Sequence, residues 1–161
     1  MRRWAAFAQL REQDGRGAVV GAQGLTLRPT RHRLVLDGVE LHTWCAVDAI
    51  GVPAALGIDA DVTSRCGWCD RDVAVYLDAG VPTGPDDALL WLPESTGTNV
   101  RRDSCPLANL FCDGGHLDVW RRRARDAIGK AVTFEEAAAL GGRWWARRAG
   151  GCYDDAPAGW R

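Results

Sequence analysis

A thiol and a carboxylate stand three residues apart in this chain, at Cys45 and Asp48. They belong to residues 43–50 (TWCAVDAI), whose pattern predicts the first turns of a helix. Residues three apart on a helix are surface neighbours, so both side chains can address the same small volume. Sulfur binds soft metals well, and a carboxylate can take up a proton and return it. The pair therefore indicates chemistry at a soft centre that needs proton transfer.

The helix that must position this pair is predicted over residues 43–56, with Thr43 as its N-cap. Pro53 should kink or shorten the helix, and Gly57 is a suitable C-terminal stop. Cys45 would lie near the positive end of the helix dipole, which favours a thiolate. We therefore expect the pKa of Cys45 to be lowered.

Short runs of β-branched and apolar residues on both sides of this helix predict strands. The dipeptide Asp37-Gly38 between two such runs predicts a hairpin turn. The fold class that follows is α+β: a small mixed, mostly antiparallel sheet with packed helices. The runs that predict strands are 18–20, 25–27, 32–36, 39–41, 60–64, 72–77 and 88–92.

Three further helices are predicted, over residues 4–14, 117–128 and 133–148, and the last begins at a capping box. Gly-, Pro- and polar-rich stretches predict loops at 80–87 and 93–104. We expect an N-terminal helix within residues 1–17, one main domain over 18–148 and a flexible tail over 149–161.

Composition excludes several classes of function. The chain has 161 residues, 47% of them hydrophobic, and a formal net charge of −1 with a pI of about 6.3. That charge leaves no basic surface for nucleic acid, and no apolar run approaches the roughly 20 residues that span a membrane. The N-terminus lacks the apolar core of a signal peptide. We therefore expect a cytoplasmic protein whose six cysteines are thiols or ligands rather than disulfides.

Four of the five cysteines other than Cys45 allow more than one interpretation. Cys66 and Cys69 form a C-x-x-C motif, but without a second such pair we interpret them as structural residues. Cys112 is either an auxiliary thiol or part of the core, and Cys152 is an incidental tail thiol or one that helps to capture metal. The histidines are interpreted as polar strand or loop residues: His32, His42 and His116.

Three segments together make the chain resemble the alkylmercury (organomercurial) lyase family over residues 18–147. Their order and spacing carry the resemblance, and a weaker match continues through Glu136-Ala137 and Leu140-Gly141. The segments are VVG at 19–21 with GLTLRPT at 24–30 and His32-Arg33; WCAVD at 44–48 with Pro53-Ala54, Leu56-Gly57, Val62, Ser64 and Cys66; and Ser104-Cys105 with Leu110-Phe111 and Trp120.

The resemblance implies a site and a reaction. Members of the family cleave a carbon–mercury bond by protonolysis, and the matching catalytic and mercury-binding residues here are Cys45, Asp48 and Cys105. Residues 1–17 would be the remnant of the family's larger N-terminal helical domain. An apolar wall around the site, with Trp44, Leu107 and Phe111 as candidates, would exclude water.

The implied role is mercury detoxification, with a small organomercurial as substrate and no resident cofactor. External thiols, or a mercuric reductase, would accept the Hg(II), and neither nucleic acid nor a membrane is expected as a partner. Two alternatives remain open. The same thiols could bind a soft metal such as mercury or copper without bond cleavage, or a lyase-like protein could act on a non-mercurial organic substrate.

Overall fold

The computed structural model of the protein describes residues 11–94 and 99–145. Its strands form an eight-stranded sheet in the order β1-β2-β3-β5-β4-β6-β7-β8 and a three-stranded sheet in the order β10-β9-β11. The strands are β1 Arg11–Gln13, β2 Val19–Ala22, β3 Leu25–Thr26, β4 His32–Leu36, β5 Val39–Thr43, β6 Ala60–Arg65, β7 Asp72–Asp78, β8 Val81–Thr83, β9 Leu89–Pro93, β10 Leu110–Phe111 and β11 Gly129–Val132.

Every pairing between these described strands is antiparallel. The α+β prediction is confirmed, although the sheet divides in two and is larger than expected. Strand β7 shows how the sequence pattern fits a sheet with one buried face, because its residues alternate strictly between exposed and buried. Val73, Val75 and Leu77 enter the core, whereas the residues between them face solvent.

The hairpin predicted at Asp37-Gly38 is confirmed. Both residues have positive φ, 48° and 74°, and they join β4 to β5 with Leu36 opposite Val39. A two-residue turn with positive φ at both positions has a twist that matches paired strands, and Gly is well suited to its second position. This turn sets the register that brings β5 to the start of the next helix.

Four helices lie among the described residues: α1 Ala46–Leu56, α2 Val100–Asp103, α3 Gly114–Arg123 and α4 Phe134–Trp144. Helix α1 begins later than predicted, because Cys45 and not Thr43 is its N-cap. Thr43 is the last residue of β5, and its hydroxyl donates to the Cys45 carbonyl at 2.8 Å. Gly57 ends the helix in the left-handed conformation, as predicted, one turn after Pro53.

Helices α1 and α4 cross at glycines. The backbones of Gly51 and Gly141 approach so closely that a Cβ at Gly141 would overlap the Gly51 main chain. Helix α4 begins at the predicted capping box, in which Thr133 and Glu136 satisfy each other's backbone N–H groups. The crossing packs α4 over the helix that carries Asp48. None of the helices in the described part of the chain is long and apolar enough to cross a membrane.

Several predicted boundaries are wrong. Arg11–Gln13 is a strand paired with β2 rather than the end of a helix, while residues 4–10 of that prediction and the tail at 149–161 lie outside the described residues. The predicted loops contain strand β8 and helix α2, and α3 ends at Arg123, before a strand (β11) that pairs with β9. Strand pairing overrides the predicted helices at β1 and β11, whereas α2 is a short local helix with Asn99 as its N-cap.

His32 on β4 should make the protein sensitive to mild acid. It is buried, and its Nδ1 lies 2.7 Å from the Ser64 hydroxyl. Burial, helped by the charges of Arg31 and His42, lowers the pKa of His32 from 6.5 to about 3. Between these two pKa values the unfolded chain binds the proton and the folded chain does not. The histidine therefore costs no stability well above pH 6.5, and the free energy of unfolding falls as the pH drops below that value.

We expect this histidine to remove about 2 kcal/mol of unfolding free energy between pH 7 and pH 5. His32→Asn should lose that part of the pH dependence, whatever its stability at neutral pH. Urea unfolding of both proteins at the two pH values measures the difference. An identical pH dependence in the variant would assign the acid sensitivity to other groups.

Candidate functional site

Cys45 and Asp48 meet where β5 passes into α1. The Cys45 thiol donates a hydrogen bond to Oδ2 of Asp48 at 3.1 Å. Both side chains are buried, with exposed fractions of 5% and 6%, so a carboxylate is held in the interior beside a thiol. A buried acid in contact with a sulfur atom is poised for proton exchange with that sulfur. The two side chains lie together as predicted, but the contact joins the N-cap residue to the third residue of α1 rather than two positions on one helical face.

The third predicted residue, Cys105, reaches this pair from a distant part of the chain. It follows α2, where its backbone N–H donates to the Val100 carbonyl at 2.9 Å. Three residues later the Ala108 carbonyl accepts from the Ala46 N–H at 3.0 Å, which ties this segment to the first residue of α1. The sulfur atoms of Cys45 and Cys105 and a carboxylate oxygen of Asp48 lie within 4.8 Å of one another, and all three residues are buried.

Gly24 packs directly against the Asp48 carboxylate. It precedes β3 with φ of 93°, and a Cβ at this position would lie 2.6 Å from Cγ of Asp48. Its carbonyl accepts a hydrogen bond from the Trp44 N–H at 2.8 Å. Both the backbone conformation and the close approach therefore require glycine. The sequence pattern alone does not assign Gly24 to the site, although Gly24 belongs to the GLTLRPT segment that carries the family resemblance.

The expected lowering of the Cys45 pKa is wrong. The contact with the Cys105 thiol, burial and the negative charge of Asp48 raise its pKa well above the ordinary 9.0. These effects outweigh the helix dipole, because Cys45 sits among acidic and neutral groups in the interior. At neutral pH the residue is a protonated thiol, and a metal that binds it must displace the proton.

A cleft of about 280 Å³ leads to the site from one side. Cys105 is part of its lining, whereas Cys45 and Asp48 are not. A ligand that enters through this cleft would therefore meet Cys105 first. The residues that line the cleft are Glu12, Thr26, Arg28, Pro29, Thr30, Trp44, Arg101, Cys105 and Pro106.

Glu12 organises the polar side of this cleft. Its carboxylate accepts hydrogen bonds from the Thr26 hydroxyl at 2.9 Å and from Trp44 Nε1 at 3.2 Å. It also forms ion pairs with Arg101 at 2.9 Å and with Arg28 at 3.2 Å. Burial alone would raise the pKa of Glu12, but these hydrogen bonds and cations hold it below the ordinary value. The pattern of residues 4–14 predicts a helix and therefore does not indicate that Glu12 lines the cleft.

The predicted apolar wall is confirmed only for Trp44, which lines the cleft and stacks under the Arg101 guanidinium at 5.0 Å. Phe111 is fully buried and packs against Trp120 with 5.2 Å between ring centroids, so it belongs to the core. Leu107 is half-buried and is not part of the cleft lining.

The other described cysteines gather at a second place. Cys66, Cys69 and Cys112 meet His116, with one ligand atom from each within 4.8 Å of the others. The sequence contained a signal, because Cys112 and His116 are separated by three residues and can supply two further ligands beside a C-x-x-C pair. Cys152 lies outside the described residues.

Comparisons with known proteins point to one family. The family model described as alkylmercury lyase matches residues 25–146. An alkylmercury lyase from Streptomyces lividans is 51% identical over 108 residues, which are 66% of this chain and 47% of that protein. One from Staphylococcus epidermidis is 31% identical over 140 residues, which are 84% of this chain and 63% of that protein.

A solved structure has a fold similar to that of this chain. The crystal structure of the mercury-bound form of MerB2 superimposes with a TM-score of 0.78 and 26% identity, covering 87% of this chain and 69% of that one. The matched region of these relatives is only part of their length: the chain spans 47% of the S. lividans protein, 52% of an alkylmercury lyase from Pseudomonas putida and 63% of the S. epidermidis protein.

Proposed function

The chain belongs to the alkylmercury lyase family, and we propose that it cleaves a carbon–mercury bond by protonolysis, releasing a hydrocarbon and Hg(II). The observation that carries the proposal is the hydrogen bond of 3.1 Å from the Cys45 thiol to Asp48, with Cys105 beside it. Two sulfur atoms suit a soft metal, and the acid suits proton transfer to carbon. A pure metal-binding site would gain little from a buried carboxylate at this position.

The first proposed step is capture of the organomercurial by Cys105, the thiol that lines the cleft. The substrate arrives as an organomercury thiolate, and its mercury exchanges one sulfur for another. Cys105 loses its proton to the departing thiolate, which leaves as a free thiol. The organic group then lies in the cleft against Trp44, with mercury close to the second thiol and the acid.

The second step breaks the carbon–mercury bond. As the Cys45 sulfur binds mercury, its proton passes to the Asp48 carboxylate, to which it is already hydrogen-bonded. Asp48 returns that proton to the carbon, and the electron pair of the carbon–mercury bond becomes the new carbon–hydrogen bond. The products are a hydrocarbon and Hg(II) held by two thiolates, and Asp48 is again ionised. The raised pKa of Cys45 serves this step, because the thiol keeps its proton until mercury displaces it.

Release of the metal completes the cycle without a resident cofactor. Two external thiols can each exchange with one Cys–mercury bond, which restores both protein thiols. Small cellular thiols or the thiols of a mercuric reductase would serve as acceptors of the Hg(II). The cytoplasm, where such thiols stay reduced, is the compartment in which this exchange can run.

The direct test is turnover of phenylmercury in deuterated buffer with excess small thiol. Protonolysis predicts benzene that carries a single deuterium, which proton NMR and mass spectrometry detect. Retention of mercury without benzene would instead support a soft-metal binding protein for mercury or copper. Failure both to retain mercury and to release benzene would favour a non-mercurial organic substrate.

A further inference from the structure

A second group of ligands lies apart from Cys45, Asp48 and Cys105. Cys66 and Cys69 stand in the turn between β6 and β7, Cys112 directly follows β10, and His116 is in the first turn of α3. The Cys112 sulfur lies 3.6 Å from that of Cys66 and 3.7 Å from that of Cys69. His116 Nδ1 lies 2.9 Å from the same sulfur. Three thiols and one imidazole therefore share a single small volume.

These distances fit the edges of a tetrahedron around zinc. Zn–S bonds of about 2.3 Å at tetrahedral angles place two sulfur atoms about 3.8 Å apart. The two measured sulfur–sulfur distances are 3.6 and 3.7 Å. The distance from Cys112 to His116 is shorter, because a hydrogen bond joins them, and would lengthen to about 3.5 Å with both atoms on the metal. Binding through Nδ1 would also replace the contact of 3.1 Å between His116 and Asp113.

The turn that carries the C-x-x-C pair is already folded as a ligand loop. The Trp68 N–H points to the Cys66 sulfur at 3.5 Å, and the Arg71 backbone donates to the Cys69 sulfur. The Cys66 carbonyl accepts from the Asp70 N–H at 3.1 Å, and Asp70 takes a positive φ of 60°. Backbone N–H groups directed at sulfur stabilise thiolates, so this turn is suited to two negatively charged ligands.

A nearby cation offsets part of the charge that three thiolates would bring. The Arg71 guanidinium lies 3.4 Å from the Cys112 sulfur. Zinc with three thiolates and one neutral imidazole carries a net charge of −1, which a neighbouring arginine stabilises. Cys69 is exposed while Cys66 is buried, so the group reaches the surface and a metal ion can enter.

We propose that Cys66, Cys69, Cys112 and His116 bind one structural zinc ion. Cys₃His is a ligand set of structural zinc sites, and the C-x₂-C spacing of Cys66 and Cys69 is typical of them. The ion would join the β6–β7 turn of the large sheet to the end of β10 in the small sheet. Since Cys105 lies shortly before β10 in the chain, the same ion would hold the segment that delivers Cys105. The proposal does not depend on the lyase activity.

Metal analysis of the full chain, grown with zinc and purified under reducing conditions, tests this. We expect about one zinc per chain in the unaltered protein, the stoichiometry of a single structural site. Cys69→Ser and His116→Ala should each lose most of it, whereas His116→Cys should retain it, because Cys₄ also binds zinc. The double variant Cys45→Ser/Cys105→Ser should keep its zinc, which places the ion away from the candidate catalytic residues.

A spectroscopic measurement on the unaltered protein covers the case in which a variant does not fold. Co(II) in place of zinc should give the intense visible bands of a tetrahedral thiolate site. X-ray absorption of the zinc form should show three sulfur atoms at about 2.3 Å and one nitrogen at about 2.0 Å. Reduced protein that takes up no zinc or Co(II) would overturn the proposal, and so would zinc that persists in Cys69→Ser but disappears in the Cys45→Ser/Cys105→Ser variant.

Discussion

Asp48→Asn should stop hydrocarbon release while both thiols remain able to bind mercury. The substitution is nearly isosteric, so it keeps the packing against Gly24 that fixes this side chain. It removes the group that, in the proposed mechanism, takes the proton from Cys45 across 3.1 Å and returns it to carbon. Positioned acid–base groups contribute about 10²- to 10⁴-fold, and we expect a loss of that size in single-turnover benzene release from phenylmercury.

Asp37→Asn is the matched control, because it makes the same chemical change at an exposed hairpin turn. It should keep the unaltered rate. A second measurement separates the proton-transfer role from a structural one. The charge of Asp48 helps to raise the pKa of Cys45, so the pKa of that thiol, followed by thiolate absorbance, should fall in Asp48→Asn. Full benzene release by Asp48→Asn would remove Asp48 from the mechanism.

The part of the site that could be predicted from the sequence is the part set by local geometry. Cys45 and Asp48 are three residues apart, and the start of a helix brings the side chain of the N-cap residue close to that of the third helical residue. Cys105 is 60 residues further on, and only the resemblance to a family identified it. The pKa of Cys45 was predicted in the wrong direction, because the helix dipole is visible in the sequence whereas burial beside Cys105 and Asp48 is not.

Groups assembled by strand pairing were harder to predict. Glu12 reaches the cleft because β1 pairs with β2, and its local sequence favours a helix. The proposed zinc site combines two short motifs from distant parts of the sequence. Cys69 of the first motif and Cys112 of the second are 43 residues apart. The hairpin at Asp37-Gly38 and the capping box at Thr133 were predicted correctly, because each is complete within four residues. Non-local pairing is therefore what the sequence alone could not supply.

The serine variants of the two proposed catalytic thiols, Cys45 and Cys105, should lose activity in different ways. Cys105 lines the cleft and Cys45 does not, so Cys105 should capture the organomercurial first. In Cys45→Ser we expect phenylmercury to remain attached to Cys105 with no benzene released. In Cys105→Ser we expect neither the adduct nor benzene. In both variants benzene release should fall by more than about 10²-fold, because each loses a group that takes part in bond breaking.

The fold should survive the change at Cys45. This residue is the N-cap of α1 without a side-chain capping hydrogen bond, and serine is among the residues preferred at that position.

Intact mass spectrometry with peptide mapping locates the phenylmercury adduct, and circular dichroism checks folding. Peptide mapping also separates an adduct on Cys105 from phenylmercury bound to the thiols of Cys66, Cys69 and Cys112, which every variant keeps. Cys152→Ser distinguishes the two interpretations of that thiol: unchanged benzene release would identify it as incidental, and slower formation of the adduct would show that it helps to capture the metal. A Cys45→Ser protein that releases benzene at the unaltered rate would contradict the two-thiol mechanism, whereas an adduct found on Cys45 in Cys105→Ser would reverse the order of capture.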